Sequence, residues 1–178
     1  MEKEQNSLPW DIVEKAINRE IKWLKETLPI RSDTGILSFM EGRESKCDNC
    51  NYTYRKIALQ IIKGKIKARE IKALEGEDLW DGLTKTVNKS IHKHGRDWHR
   101  MMMNVIDQYF TSQGYEVNTE PYLNYGRADL GIYKEGKRFL FVEIGTLSIY
   151  KLWVNLQTLK DVIFLIVPSE NKVIEFET

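Results

Sequence analysis

Hydrophobic residues near the start of the chain recur at helical spacing. Ser7 is a candidate N-cap, Pro9 falls in the first turn, and Pro29 ends the pattern. The apolar positions share one face of an amphipathic helix and are Ile12, Val13, Ala16, Ile17, Ile21, Leu24 and Leu28. Residues 31–51 contain glycine and polar residues without a sustained period. The pattern therefore predicts one docked helix followed by a loop.

Three short apolar segments, each ending near a glycine, fill residues 52–95. They run through YRKIALQIIK, KAREIKAL and DLWDGLTKTVNKSIHK, and they end near Gly64, Gly76 and Gly95. Each segment predicts a helix. The three together resemble a helix-turn-helix domain, with KAREIKALEG as positioning helix and turn and the third segment as recognition helix. That resemblance implies that the third helix enters the major groove of DNA. The alternative is a helical subdomain that only buttresses the rest of the chain.

After Asp97 a long helical pattern is followed by short alternating ones. DWHRMMMNVIDQYFTSQG predicts a helix that ends at Gly114 and packs its methionines in the core. YEVNTEPYL, RADLGIYK and RFLFVEIGT predict three strands, with a hairpin turn at residues 135–136 between the last two. SIYKLWVNLQTL predicts a helix that leads to DVIFLIVP, a strand parallel to the one before it, and KVIEFE finishes the sheet. The order α-β-β-β-α-β-β predicts a mixed α/β domain over residues 96–178.

Two carboxylates occupy positions that the predicted hairpin brings together. Glu143 lies in a segment that is apolar on both alternations, which predicts a strand covered on both faces. Asp129 heads the preceding strand. Neighbouring carboxylates repel each other unless a cation lies between them, and Mg²⁺ prefers one or two carboxylates with water and phosphate. The pattern predicts a shared Mg²⁺ or Mn²⁺ site. The alternative is a turn residue at Asp129 and a local cap or salt bridge at Glu143.

This strand order, with an acid on the second strand and another on the third, resembles the PD-(D/E)XK nuclease superfamily over residues 97–168. The resemblance implies an αβββαβ restriction-endonuclease-like core, classed as α/β or α+β, that hydrolyses DNA phosphodiester bonds with Mg²⁺. It implies Asp129, Glu143 and the backbone carbonyl of Ile144 as metal ligands, and it places Ala128 where the family often has proline. Glu120 on the first strand and His99 on the first helix are further candidate catalytic residues.

The chain departs from the family at Gly145, where a catalytic lysine is expected two residues after the second acid. Lys151, in the first turns of the following helix, is the candidate replacement, since a long side chain could extend back to the acids. The alternative is an inactive nuclease-like domain in a DNA-binding regulator. A nuclease-fold protein that acts on RNA is a further alternative.

The net charge of +1 conceals an uneven distribution. Residues 52–100 carry 12 Lys and Arg against 6 Asp and Glu, whereas both flanking segments are negative. A local excess of basic residues indicates a nucleic-acid contact, although a solvated lysine-rich face has the same composition. The residues predicted to contact DNA are Lys65, Lys67, Arg69, Thr84, Lys85, Asn88, Lys89, Lys93 and Arg96.

The only two cysteines form the pair KCDNC, Cys47 and Cys50. Two cysteines supply half of a Zn²⁺ site, and the other ligands would come from His92, His94 or His99 or from a second chain. The alternative interpretations of the pair are a disulfide and two free thiols. Disulfides are rare inside cells except in hyperthermophiles, and the Ile-, Lys- and Glu-rich composition is compatible with a thermophile.

The remaining expectations concern organisation and location. Residues 1–51, 52–95 and 96–178 are predicted as the N-terminal helix with its loop, the helical region and the nuclease-like domain. The polar start of the chain and the lack of a long apolar run predict an intracellular protein with no membrane partner. A homodimer follows from the nuclease resemblance alone.

Overall fold

Four helices and six strands occur in the part of the chain that the computed structural model describes, residues 9–30, 48–72, 96–168 and 172–178. The helices are α1 (Trp10–Thr27), α2 (Asp48–Ile62), α3 (Arg96–Ser112) and α4 (Ile149–Thr158). The strands are β1 (Lys67–Lys72), β2 (Glu116–Thr119), β3 (Leu130–Tyr133), β4 (Phe139–Ile144), β5 (Val162–Val167) and β6 (Lys172–Glu177). No described helix combines the length and the apolar character that crossing a bilayer requires.

The six strands form one mixed sheet in the order β1-β6-β5-β4-β3-β2. Strands β4 and β5 are parallel and are connected through α4, and the other neighbours are antiparallel. The sequence prediction of a mixed helix-and-strand fold is confirmed, as is the parallel pairing of the strands on either side of α4. The predicted order from the long helix to the last strand matches the observed order α3-β2-β3-β4-α4-β5-β6.

Apolar side chains cover both faces of the sheet. One face packs against α1, α2 and α4, through residues such as Phe141, Phe164 and Leu152. The other face packs against α3, through residues such as Val142, Leu165 and Met102. Successive residues of a strand point to opposite faces. Glu143 therefore shares the face of Phe141, on the side of α4.

The prediction of a helix through KAREIKAL is wrong, because Lys67–Lys72 is the edge strand β1. It pairs antiparallel with β6, and Arg69 lies opposite Glu175. The Arg69 Nε and Glu175 Oε1 atoms are 2.7 Å apart, and opposite charges facing each other across a strand pair favour the register. Lys, Ala, Arg and Glu all favour helices, but the energy of sheet pairing and burial outweighs that weak local preference. A helix-turn-helix with its positioning helix here is not formed.

Other boundaries also differ from those predicted. Helix α2 begins at Asp48, inside the segment predicted as loop, and the rest of that loop lies outside the described residues. Strand β2 ends at Thr119 because Glu120 has a φ of +51° and Pro121 follows. Helix α1 begins at Trp10, and the predicted cap Ser7 lies outside the described residues.

Several local predictions are confirmed. Helix α3 ends at Ser112, and Gly114 has a φ of +77°, in the left-handed region that favours glycine. Strands β3 and β4 form the predicted antiparallel hairpin, with Gly136 at a φ of +73° in its turn. The segment predicted as a recognition helix lies outside the described residues, and the predicted division at residues 51 and 95 stays a prediction.

Candidate functional site

The two predicted acids lie where β3 begins and β4 ends. The Asp129 backbone N–H donates to the carbonyl of Val142 at 3.0 Å and so extends the β3–β4 ladder by one residue. The Asp129 carboxylate accepts a hydrogen bond from the backbone N–H of Ile144, with an N–Oδ2 distance of 2.6 Å. This bond fixes the aspartate side chain across the end of the neighbouring strand. The predicted hairpin arrangement of the acids is therefore what the structure contains.

Glu143 is a buried carboxylate, with 8% of its surface exposed. Burial raises its pKa to about 7, because a charged carboxylate loses hydration inside the protein. The Lys151 ammonium opposes this shift, whereas the negative charge of Asp129 adds to it. The two acids lie close together, because Ile144, the residue after Glu143, donates its N–H to the Asp129 carboxylate.

Lys151 contacts Glu143, as the sequence hypothesis of a relocated lysine requires. The Lys151 Nζ and Glu143 Oε1 atoms are 2.6 Å apart, and the same ammonium donates to the carbonyl of Arg127. The stem of the lysine passes over Gly126, where an added Cβ would lie 3.4 Å from Lys151 Cε. Ser148 caps α4 by accepting from the N–H of Lys151 at 3.3 Å. Helix α4 thus starts at the position from which this side chain extends to β4.

The backbone at Gly145 explains why the lysine is not at that position. Gly145 has a φ of +79°, a conformation that costs an L-residue with a side chain about 1–2 kcal/mol. Its N–H donates to the carbonyl of Val167 at 2.8 Å, which extends the parallel pairing of β4 and β5. Among the described residues, a Cβ at this position would have Trp98 of α3 as its one neighbour within 4 Å, at 3.8 Å from Cζ3. A side chain here would begin on the α3 side of the sheet, away from the face that holds Glu143.

His99 joins the acids from the other side of the sheet. Its Nε2 lies 3.2 Å from Asp129 Oδ1. It follows Trp98 on α3, whose indole is buried in the core that covers this face. Like Lys151, His99 opposes the rise in the pKa of Glu143 that burial causes. The structure therefore brings together Asp129, Glu143, Lys151 and His99, four of the five predicted catalytic residues.

Glu120, the fifth, pairs with a different partner. Its Oε2 lies 3.3 Å from Arg127 Nη1, and its side chain is largely exposed. Its backbone N–H donates to the carbonyl of Asp129 at 2.9 Å. Its observed partner is therefore a cation, and not the two buried-site acids.

The carboxylate pair fits a Mg²⁺ ion by its donor chemistry. Two neighbouring carboxylates are what Mg²⁺ takes from a protein when water and phosphate complete its shell. Asp129 and Glu143 would hold the ion. The resemblance implied the backbone carbonyl of Ile144 as a further ligand. The contact that the structure shows for Ile144 is made by its backbone N–H, which donates to Asp129. No cluster of three or more His, Cys, Asp or Glu side chains suited to a metal is found among the described residues.

The predicted DNA contacts are spread over the sheet edge and beyond the described residues. Lys65 and Arg96 are exposed, before β1 and at the start of α3. Lys67 and Arg69 face acids of β6: Lys67 Nζ lies 3.6 Å from Glu177 Oε2, in addition to the Arg69 pair. Two strands separate β1 from β4. Thr84, Lys85, Asn88, Lys89 and Lys93 lie outside the described residues, as do Cys47, His92 and His94.

Two residues that support the site were missed from the sequence. Gly126 provides the surface on which the Lys151 stem lies. Asn155 is 1% exposed on α4 and pairs with the backbone of Tyr125 in both directions, at 3.0 Å from its N–H and 2.9 Å to its carbonyl. The available signal was a polar side chain on the apolar face of α4, three residues after Leu152 and next to Leu156. A buried amide there needs hydrogen-bond partners.

Comparison with curated proteins and with solved structures finds no match in either set. Residues 62–160 match a family described as Domain of unknown function (DUF8371). The matched segment contains His99, Asp129, Glu143 and Lys151. It covers more than half of the chain, and the protein therefore belongs to the DUF8371 family.

Proposed function

We propose that this protein is a Mg²⁺-dependent nuclease that cleaves DNA phosphodiester bonds. The observation that supports this function best is the 2.6 Å contact between Lys151 Nζ and Glu143 Oε1. The family resemblance places a lysine at the position that Gly145 occupies in this chain. Lys151 of α4 brings an ammonium to the Glu143 carboxylate instead. Two acids and a lysine on different elements are thus assembled without the usual spacing.

Each group has a role that follows from its position. Bound Mg²⁺, held by Asp129 and Glu143, would polarise the scissile phosphate and lower the pKa of a water molecule. Lys151 balances the charge of Glu143 and places a positive charge beside the phosphate, where negative charge develops during cleavage. His99 orients the Asp129 carboxylate from α3 through the 3.2 Å contact. The Ile144 N–H holds the other oxygen of Asp129.

The proposed DNA contact depends on the positive charge of residues 52–100. Such a contact is made mainly to phosphates and weakens steeply with added salt. Because Lys67 and Arg69 already face acids, we place the main contribution on the other cations of this segment. By the same resemblance we propose a homodimer, which light scattering after size-exclusion chromatography would test.

Cleavage of supercoiled plasmid DNA with Mg²⁺ or Mn²⁺ tests the proposed function. We expect Asp129→Asn, Glu143→Gln and Lys151→Met each to lower the rate about 100-fold or more, as removal of a charge that stabilises a transition state does. Lys160→Met, which removes an exposed lysine just beyond the end of α4, is the matched control and should retain full activity.

The outcomes separate the candidate functions. Absence of cleavage by the wild-type protein with either metal, or full activity in the Asp129 and Glu143 variants, would refute the nuclease. Salt-sensitive DNA binding without cleavage would support the alternative of a DNA-binding regulator with an inactive nuclease-like domain. RNA substrates run in the same assay test the ribonuclease alternative.

A further inference from the structure

Exposed aromatic rings are concentrated beside Lys151. Tyr122, Tyr125 and Tyr150 are 77%, 47% and 43% exposed, and Trp153 is partly buried next to them. The Tyr125 and Tyr150 ring centroids are 5.4 Å apart, and those of Tyr150 and Trp153 are 5.7 Å apart. We call these four residues the aromatic platform. It is formed by the β2–β3 connection and the first turns of α4.

A cation lies over one of these rings. The Arg127 guanidinium is centred 4.3 Å from the Tyr122 ring centroid and is about half exposed. Its carbonyl accepts from the Lys151 ammonium, so the platform and the two-acid site share a backbone segment. Each of the two cations on this segment has an acid beside it: Arg127 pairs with Glu120 at 3.3 Å, and Lys151 pairs with Glu143 at 2.6 Å.

The platform is held in place by hydrogen bonds and not by the rings themselves. Tyr122 and Arg127 pair across the base of a tight turn, and the Leu123 N–H donates to the carbonyl of Gly126 at 2.9 Å. The buried amide of Asn155 ties the backbone of Tyr125 to α4. Tyr122 and Tyr125 are therefore presented on an ordered turn and Tyr150 on a helix, so that little conformational entropy is lost when a base stacks on one of these rings.

We propose that the aromatic platform binds unpaired bases of a DNA strand whose backbone enters the Asp129–Glu143 site. This inference rests on the proposed nuclease function and names its substrate class as single-stranded DNA or the unpaired end of a duplex. Surfaces that bind single strands combine cations along the backbone with aromatic rings on which bases stack. In a continuous duplex the faces of the bases are stacked on one another, so that no base face is free to stack on the tyrosine rings.

The position of the platform favours this occupant over a protein partner. Exposed aromatic residues also occur in protein interfaces. Here the exposed rings lie next to Arg127 and Lys151, and cations beside exposed rings are what a phosphate backbone with attached bases requires. A second copy of the chain covering the platform is the competing occupant.

Fluorescence anisotropy with a labelled oligothymidine, in EDTA so that no cleavage occurs, tests the proposal. We expect the single strand to bind at least about 10-fold more tightly than a duplex that has the same length and ends of matched base composition. Tyr122→Ala and Tyr150→Ala should each weaken single-strand binding about 5-fold or more, as base–aromatic stacking contributes that much. Tyr122→Phe keeps the ring but removes the hydroxyl that accepts from Arg127, and it should keep most of the affinity.

Tyr133→Ala is the matched control. Tyr133 is 41% exposed and lies at the other end of β3 from Asp129. Its removal should leave the affinity unchanged. Thermal melting of each variant confirms folding, and Tyr122→Ala alone is sufficient if Tyr150→Ala melts early, because Tyr122 is the most exposed of the rings.

The results overturn the inference independently of the nuclease. Equal affinity for single strand and duplex, or unchanged affinity in the ring variants, would refute the platform even if the plasmid is cleaved. Tight single-strand binding lost in the ring variants would support it even if no cleavage is found. Ring variants that become monomeric without losing affinity for the single strand would show that a second copy of the chain covers the platform. This result would also refute the inference. An RNA oligonucleotide bound more tightly than DNA would overturn the assignment of DNA.

Discussion

The buried Glu143 carboxylate should make the stability of the metal-free protein depend on pH in an unusual direction. Its pKa is raised to about 7 by burial, from an ordinary value near 4.5. Below pH 4.5 the group is protonated in both the folded and the unfolded protein. Between pH 4.5 and 7 the folded protein retains the proton that the unfolded chain has lost. Stability from this group is therefore fully present below the unfolded pKa and is lost as the pH rises through 7.

The magnitude follows from the size of the shift. Each unit of pKa difference corresponds to about 1.4 kcal/mol, so that Glu143 removes about 3 kcal/mol of unfolding free energy between pH 4.5 and pH 8. Most carboxylates that are paired in the native state act in the opposite direction. Glu143→Gln deletes the titration. The variant should therefore gain about 3 kcal/mol relative to wild type over this range.

Urea unfolding at pH 4.5, 6 and 8 in EDTA measures this difference. Glu135→Gln, which removes an exposed glutamate in the turn of the same β3–β4 hairpin, is the matched control for loss of a carboxylate. A Glu143→Gln difference that does not change with pH would show that Glu143 has the same pKa in the folded and unfolded protein, and one that falls as the pH rises would show that its pKa is lowered. Either result would refute the burial argument.

Three further predictions concern residues around the site. Gly131→Ala places a Cβ 2.8 Å from Pro121 Cγ and should cost about 1–3 kcal/mol in urea unfolding, with recovery when Pro121→Ala is added. Asn155→Leu leaves the N–H and carbonyl of Tyr125 without their partner and should cost about 1–3 kcal/mol; an unchanged melting curve would contradict its anchoring role. Gly145→Lys restores the usual family spacing but should lose about 1–2 kcal/mol of stability and should not restore cleavage to Lys151→Met, because its side chain begins toward α3. Rescue of that double variant in the plasmid assay would show that position 145 reaches the acids.

The stretch from α3 to β6 was predictable from the sequence because its patterns are local and strong. Alternating and helical periods with glycine stops define each element there, and residues 135–136 form the expected hairpin turn. Once the hairpin was predicted, the proximity of Asp129 and Glu143 followed from strand geometry. The contact of Lys151 with Glu143 was a hypothesis based on the position of Lys151 early in α4. It could not be more than that, because no sequence spacing fixes where a helix starts relative to a sheet.

The local rules failed where distant partners determine the conformation. KAREIK has the composition of a helix, and its strand conformation depends on pairing with β6 more than a hundred residues later. Glu120 was expected beside the acids, but a positive φ ends β2 and Arg127 becomes its partner. The role of Asn155 depends on a backbone turn that packs on α4 only in the folded protein.

The sequence by itself determined the kinds and order of elements after residue 96 and the placement of two acids on one hairpin, because periodicity and turn residues act within a few positions. Tertiary structure decided which edge strand completes the sheet, which cation pairs with Glu143, and that the backbone at Gly145 has a conformation that disfavours a side chain. These outcomes depend on contacts between residues far apart in the chain. Such contacts are set by burial, charge pairing and backbone conformation in the assembled core.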